Sequence, residues 1–159
     1  KKNTKLLDIG AYPGGWAQVA SKIITTGKIL SLDTKKMDEL ENVTFLQCDF
    51  LEENTKEKIF NFFKDKLDVV ISDMAANTTG NKSLDSIRTN QLCAEVVEFS
   101  SKILKPNGVL VAKLFMGDDF LEVKELAKSM FKKVEFFKPE SSRNESKETY
   151  LHCVTLRTL

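Results

Sequence analysis

The side chains best suited to chemistry in this sequence are aspartates that come directly after apolar runs of strand length. Asp33 follows the second such run, Asp49 lies just after the third, and Asp73 ends the fourth. In an open parallel sheet, ligands bind beyond the carboxyl ends of the strands. A carboxylate about twenty residues past a glycine turn, such as Asp33, can bind both hydroxyls of a ribose, and Asp49 can accept a hydrogen bond from an adenine amine. The three acids together therefore predict a nucleoside pocket, although either Asp33 or Asp49 alone could cap a helix or close a turn.

The turn that would hold this nucleoside is glycine-rich and joins an apolar strand to a helix, in Leu-Leu-Asp-Ile-Gly-Ala-Tyr-Pro-Gly-Gly-Trp at 6–16. Gly10, Gly14 and Gly15 can adopt backbone angles closed to other residues, and Pro13 stiffens the bend. Their spacing departs from the Gly-x-Gly-x-x-Gly pattern of dinucleotide enzymes. Because acids attract a cation, the pocket favours a positively charged cofactor without phosphate, and the sulfonium compound S-adenosyl-L-methionine meets both conditions.

Lys113 is the second unusual feature, because it interrupts the apolar run 109–115 near the end of a predicted interior strand. An ammonium group loses hydration there unless something compensates, so its presence indicates a function. The alternative is a structural lysine that extends its ammonium group to solvent at the strand end.

Apolar runs of strand length alternate with longer amphipathic segments along most of the chain, which predicts a parallel sheet covered by helices on both faces. After residue 130 two strand-like runs follow each other, so an antiparallel hairpin is expected at one edge. The predicted fold is therefore α/β and Rossmann-like, with a mostly parallel seven-stranded sheet. Strands are predicted at 5–9, 28–32, 43–46, 67–72, 109–115, 132–137 and 149–156, and helices at 15–25, 54–63, 86–104 and 118–130, the third stopping at Pro106-Asn107-Gly108.

Length and composition predict one domain over residues 1–159, with 42% hydrophobic residues for a single core. No apolar run approaches the roughly 20 residues that cross a bilayer, and no secretory signal opens the chain, so a soluble, non-secreted protein without membrane contact is expected.

Three widely spaced cysteines argue against disulfides and against a zinc site. The net charge of +1 does not by itself indicate a nucleic-acid partner. Because the chain begins at Lys1 without methionine, a natural amino-terminal segment is expected to be missing.

Four segments carry a family resemblance, and they occur in family order over nearly the whole chain. They are Asp-Ile-Gly-Ala-Tyr-Pro-Gly-Gly-Trp at 8–16, Ser-Asp-Met-Ala-Ala-Asn at 72–77, Ala-Lys-Leu-Phe-Met-Gly at 112–117, and Lys-Pro-Glu-Ser-Ser-Arg at 138–143 followed by Ser-Lys-Glu at 146–148. Together they resemble the FtsJ/RrmJ family of ribose 2′-O-methyltransferases, which act on RNA. The resemblance is greatest to the RlmE type, which modifies a uridine of large-subunit ribosomal RNA.

The resemblance implies three catalytic residues, because Asp73, Lys113 and Glu148 match three members of the family's Lys-Asp-Lys-Glu tetrad. The first lysine of the tetrad has no match in this chain. Lys113 would orient the 2′-hydroxyl and take its proton, or stabilise the alkoxide that develops. Glu148 would position Lys113, and Asp73 would stand between cofactor and substrate. The implied cofactor contacts are Gly14, Trp16, Asp33, Asp49 and Asp73, to which the glycine turn adds Gly10 and Gly15.

Two positions depart from the family pattern. Tyr12 replaces a small residue and is expected to crowd the methionine end of the pocket, whereas Ala76 replaces a proline and is expected to loosen the loop after Asp73.

The predicted partner is ribosomal RNA in the large ribosomal subunit, modified by a cytoplasmic monomer, or by an organellar protein if a transit segment precedes Lys1. Basic residues expected to contact RNA are Lys35, Lys36, Lys82, Arg88, Lys138, Arg143 and Lys147.

Several alternatives stay open from the sequence. The same chemistry could act on another RNA such as tRNA, or the chain could be a non-catalytic relative that binds RNA or the ribosome. A methyltransferase for a small molecule or a protein would share the cofactor site but not the pair of Lys113 and Glu148. A nicotinamide-dependent dehydrogenase is a weaker alternative, because no acid or base for hydride transfer is evident.

Overall fold

The computed structural model describes residues 3–117, 119–140 and 147–158. Within these ranges the chain forms one seven-stranded sheet and four helices. The elements are β1 (Thr4–Ile9), α1 (Gly15–Ile23), β2 (Gly27–Asp33), β3 (Val43–Gln47), α2 (Glu53–Phe63), β4 (Leu67–Ser72), α3 (Lys82–Ile103), β5 (Leu104–Phe115), α4 (Phe120–Met130), β6 (Phe131–Phe137) and β7 (Glu148–Leu156).

The strand order is β3-β2-β1-β4-β5-β7-β6. Strands β1 to β5 pair in parallel, whereas β7 is antiparallel to both of its neighbours, β5 and β6. The predicted α/β, Rossmann-like fold and its carboxyl-terminal hairpin are therefore confirmed. The order reverses between β1 and β4, and ligands of such sheets bind beyond the carboxyl ends of the strands at this reversal.

Helices cover both faces of the sheet. Ala20 and Ile24, on and just after α1, pack with Leu6 and Ile29 on one face. Side chains of α2, α3 and α4 pack on the other face in the larger core, which also contains Cys93 and Cys153 as small buried residues. Burial in this core raises the thiol pKa of both cysteines to about 12. None of the helices in the described ranges could span a lipid bilayer.

The predicted boundaries of α3 are wrong at its start. The helix begins one turn earlier than residue 86, because the Asn81 side chain accepts a hydrogen bond from the Leu84 N–H (3.2 Å) and caps the first turn. It ends at Ile103, before the predicted stop at Pro106, and β5 begins at once. Between the pairs Leu67↔Leu104 and Val69↔Val109 the register shifts, so the exposed Pro106 lies where β5 has extra residues and need not donate to the ladder.

Candidate active site

The glycine turn after β1 brings the ends of β1, β2 and β4 together. The N–H groups of Gly10 and Ala11 both donate to the Leu32 carbonyl at 2.9 Å. Gly10 has a φ of +73°, and a Cβ there would lie 2.8 Å from Met74 Cγ and 3.0 Å from its backbone nitrogen. Gly10 is therefore required by both its conformation and its close approach to the residue after Asp73.

The two later glycines of the turn differ in what they contribute. Gly14 precedes α1 with a φ of +115°, and a Cβ there would lie 3.0 Å from Met37 Sδ. Gly15 opens the helix, and a Cβ there would meet nothing within 4 Å. The structure thus explains a glycine at position 14 and gives no steric reason for one at position 15.

A cavity of about 410 Å³ opens beyond the carboxyl ends of β1, β2 and β4, and we call it the first cavity. Gly10, Asp33, Asp49 and Asp73 line it, so four of the predicted cofactor residues are brought together. Gly14, Gly15 and Trp16 do not line it.

Two of the lining carboxylates are held by backbone donors. Asp33 accepts hydrogen bonds from the N–H groups of Tyr12 and Lys35, one on each oxygen and both at 2.9 Å. Asp49 accepts from the Leu51 N–H at 2.9 Å. The orientation of both carboxylates is therefore set by the loops around them.

The three predicted catalytic residues meet at the carboxyl end of β5. The Lys113 ammonium lies 3.0 Å from Asp73 Oδ1 and 3.6 Å from Glu148 Oε1, and the Lys113 side chain is 13% exposed. The antiparallel register causes this meeting, because β7 places Tyr150 opposite Lys113 and Glu148 opposite Phe115. The alternative of a lysine extended into solvent is not what the structure shows.

Tyr150 joins this cluster and was not among the predicted residues. Its hydroxyl donates to Asp73 Oδ1 at 2.9 Å and also lies 3.4 Å from Glu148 Oε1. Burial and these two carboxylates raise the pKa of Tyr150 above its ordinary value, so the hydroxyl stays protonated. Trp16 packs on the Tyr150 ring with centroids 5.4 Å apart. The two-residue spacing from Glu148 in a strand, which puts both side chains on one face, is the signal that could have found Tyr150.

Asp8 is a second residue that the sequence analysis did not select. Its side chain is fully buried in β1, Ser31 Oγ donates to Oδ2 at 3.4 Å, and Oδ1 has no hydrogen-bond partner among the described residues. Burial, with the nearby charges of Asp73 and Asp33, raises its pKa from 3.8 to about 7. An acid inside the apolar run 6–9, two residues before Gly10, is the sequence signal for it.

Asn90 connects α3 to the end of β5 and was also missed. Its buried side-chain amide donates to the Phe115 carbonyl (2.9 Å) and to Asp119 Oδ1 (2.8 Å), and its oxygen accepts from the Phe115 N–H (2.8 Å). These bonds hold the backbone two residues beyond Lys113. A polar residue on the buried side of a helix was the available signal.

The two departures from the family pattern have clear places in the structure. Tyr12 lines the first cavity and is half exposed, with the Lys35 ammonium 5.3 Å from its ring centroid. The Ala76 N–H donates to Thr89 Oγ1 at 3.0 Å, a bond that a proline could not make. The loop after Asp73 is therefore tied to α3 at the position where loosening was expected.

The predicted RNA contacts that the structure describes line two cavities or lie on the exposed surface. Lys35 lines the first cavity. Lys82 and Lys147 line a separate cavity between the loops that follow β4 and β5, which we call the second cavity. Lys36, Arg88 and Lys138 are exposed, and Arg143 lies outside the described residues. No group of three or more potential metal ligands is placed to hold an ion in the described part of the chain.

Comparison with known proteins adds independent findings to this geometry. The chain is 45% identical over 157 residues to a Pelagibacter ubique protein named ribosomal RNA large subunit methyltransferase E, covering 99% of this chain and 77% of that protein. A Rickettsia akari protein of the same name is 49% identical over 155 residues, with coverages of 94% and 68%.

Solved structures agree with these relatives. A Plasmodium falciparum protein described as a ribosomal RNA methyltransferase has a TM-score of 0.86 at 31% identity, covering 98% of this chain and 88% of its own. Human methyltransferase-like protein 13, solved in complex with SAH, has a TM-score of 0.70 at 16% identity, with coverages of 96% and 72%, and shows the shared fold alone. The sequence profile of FtsJ-like methyltransferases matches residues 1–156. The predicted family is therefore confirmed, and this chain belongs to the FtsJ-like methyltransferases.

Proposed function

We propose that this chain transfers a methyl group from S-adenosyl-L-methionine to the 2′-hydroxyl of a uridine in large-subunit ribosomal RNA, leaving S-adenosyl-L-homocysteine. The observation that carries the proposal is the position of the Lys113 ammonium, 3.0 Å from Asp73 and 3.6 Å from Glu148. Asp73 also lines the first cavity, so it connects this amine to the proposed cofactor site. The names of the relatives at 45% and 49% identity support ribosomal RNA as the substrate.

The first cavity fits an adenosine that carries a positive charge. Each oxygen of Asp33 already accepts one backbone hydrogen bond and keeps further acceptor capacity for the hydroxyls of a ribose. Asp49, held by the Leu51 N–H, would accept from the adenine amine. When bound, S-adenosyl-L-methionine supplies a methyl group activated by its sulfonium. The acids lining the cavity, including Asp73, favour that positive charge over the negative charge of a pyrophosphate.

The protein's part in the reaction is to hold the nucleophile and stabilise charge on it. Orientation of reacting groups lowers barriers by about 7–11 kcal/mol in well-aligned cases. A lysine ammonium has three N–H donors. Asp73 and Glu148 are the two acidic acceptors near the Lys113 ammonium, so one donor is left for the 2′-oxygen. This hydrogen bond would orient the hydroxyl. As the 2′-oxygen accepts the methyl group, the hydroxyl proton would pass to the partly exposed Glu148 carboxylate and from there to water. The ammonium would stabilise the negative charge that develops on the oxygen as the proton leaves. Asp73 and Glu148 position the ammonium, and Tyr150 holds Asp73 through its hydroxyl.

The setting of the reaction is part of the same proposal. The RNA would be modified within the large ribosomal subunit, by a monomer, in the cytoplasm. Residues 1–159 would act as one domain, which is supported by a buried core that runs from Leu7 in β1 to Cys153 in β7. Size-exclusion chromatography with light scattering, and limited proteolysis, test the monomer and the single domain.

The test is incubation of the full-length gene product with labelled S-adenosyl-L-methionine and large ribosomal subunits from cells that lack the modification. Mass-spectrometric mapping should find the label on one ribose 2′-oxygen. Lys113→Ala should slow labelling by about 100-fold or more while leaving the dissociation constant for the cofactor unchanged. Label on a base, on a protein, on tRNA instead of ribosomal RNA, or nowhere would overturn the proposal.

A further inference from the structure

The second cavity lies at the carboxyl end of β5, the strand that carries Lys113, and is separate from the first cavity. Its volume is about 640 Å³, against about 410 Å³ for the first cavity, and the two share Ala75 and Ala76 as a common wall. Its opposite wall includes Phe115 and Met116, at the end of the strand that carries Lys113. A cavity of this volume is within the range of small-molecule binding sites. None of the proposed cofactor residues lines it.

The walls of the second cavity combine apolar, hydroxyl and cationic groups. Phe115, Met116 and Ile87 supply apolar surface, and the exposed lysines Lys82 and Lys147 lie along it. An aromatic or apolar surface beside cations is the combination that binds single-stranded nucleic acid, because bases stack on the surface and phosphates pair with the cations.

Two carboxylates also line the cavity, but protein donors engage both of them. Asp85 accepts from the Thr79 N–H (3.0 Å) and hydroxyl (2.7 Å), and Asp119 accepts from the Asn90 side chain (2.8 Å). These bonds reduce the repulsion that the two acids would exert on a phosphate.

The frame of the cavity is built before any ligand arrives. The buried Asn90 amide ties Phe115 to α3, Thr89 ties down Ala76, and the Met116 N–H donates to the Lys147 carbonyl at 2.8 Å. Both loops that form the walls are therefore anchored, which lowers the ordering cost of binding.

We propose that the second cavity binds an unpaired nucleotide adjacent in the RNA to the methylated ribose, with its base against Phe115 and Met116 and its phosphates on Lys82 and Lys147. This inference rests on the proposed function. The neighbouring nucleotide would anchor the RNA so that the target ribose reaches Lys113, and it would make the enzyme select unpaired RNA.

The first test fills the cavity. Ser86→Trp places an indole inside it, whereas Glu98→Trp puts the same side chain on an exposed position further along α3. Stacking contributes enough per base that its loss should weaken binding of a fluorescein-labelled single-stranded oligoribonucleotide by about 5- to 100-fold in Ser86→Trp. Glu98→Trp should bind like the wild type, and both variants should keep the wild-type dissociation constant for the cofactor. Equal RNA binding by the two variants would overturn the inference.

The second test avoids any risk that the tryptophan disturbs folding. Lys82→Ala and Lys147→Ala should each weaken oligoribonucleotide binding and lower the slope of log affinity against log salt by about one. The matched control is Lys22→Ala, because Lys22 lies in the last turn of α1, at the opposite end of the sheet. If all three lysine variants keep the wild-type salt slope, the inference is wrong. Wild-type protein that fails to methylate ribosomal RNA would refute the proposed function, whereas methylation that is indifferent to Ser86→Trp refutes the nucleotide site alone.

Discussion

Replacing the buried Asp8 by asparagine should remove a pH dependence from the folding stability of this protein. The folded pKa is about 7, against 3.8 for the ordinary side chain, because burial disfavours the carboxylate. Between these two values the folded protein holds a proton that the unfolded chain has released. The free energy of unfolding therefore falls as the pH rises from about 4 to about 7, and levels off above that.

The magnitude follows from the size of the shift. A rise from 3.8 to about 7 amounts to about 4 kcal/mol over the whole range, because one pKa unit is worth 1.36 kcal/mol. Between about pH 5 and about pH 8 the loss is about 3 kcal/mol, or a fall of about 1–3 M in the urea midpoint for a small protein. In Asp8→Asn position 8 no longer titrates, and this contribution to the slope disappears.

The assay is urea unfolding of the wild type and of Asp8→Asn at about pH 5 and about pH 8. Circular dichroism monitors the unfolding. Comparing slopes, rather than stabilities at one pH, cancels any packing cost of the asparagine itself. Asp65→Asn is the control, because the pKa of Asp65 is lowered by Lys5, so its titration lies below this window and the wild-type slope should persist. Parallel pH profiles for the wild type and Asp8→Asn would refute the argument that burial holds Asp8 protonated.

Three further predictions, made with four substitutions, test the site. Lys113→Met keeps the apolar stem but removes the ammonium, so kcat should fall by about 10²- to 10⁴-fold with unchanged cofactor affinity in calorimetry; a loss below tenfold would contradict its role. Gly10→Ala should weaken cofactor binding, because its Cβ would approach the Met74 backbone to 3.0 Å at a φ of +73°, whereas Gly15→Ala should bind normally and fold at least as stably; equal effects would count against the turn geometry. Asn90→Leu should lower the melting temperature and raise the KM for RNA more than the KM for the cofactor, since it frees the loop after β5; methylation kinetics that match the wild type would exclude this positioning role.

Much of this protein could be predicted from local pattern. The alternation of apolar runs and amphipathic segments predicted the mostly parallel sheet, because the period of burial differs between strands and helices. Acids at strand ends could be assigned to one edge of the sheet, since the carboxyl ends of parallel strands coincide there. Asp33, Asp49 and Asp73 accordingly line one cavity with Gly10. The family resemblance supplied Glu148, which no local pattern near it could have linked to Lys113.

The tertiary structure decided how distant residues meet. Insertion of β7 between β5 and β6 sets the register that brings Glu148 and Tyr150 to Lys113, and register depends on packing across the whole sheet rather than on any one segment. The Asn90 clamp likewise joins a helix to a strand end across 25 residues of sequence. Sequence periodicity indicates which face of a helix or strand is buried. The residues that pack against that face depend on how all the elements pack together. These contacts could therefore be identified only once the tertiary structure was known.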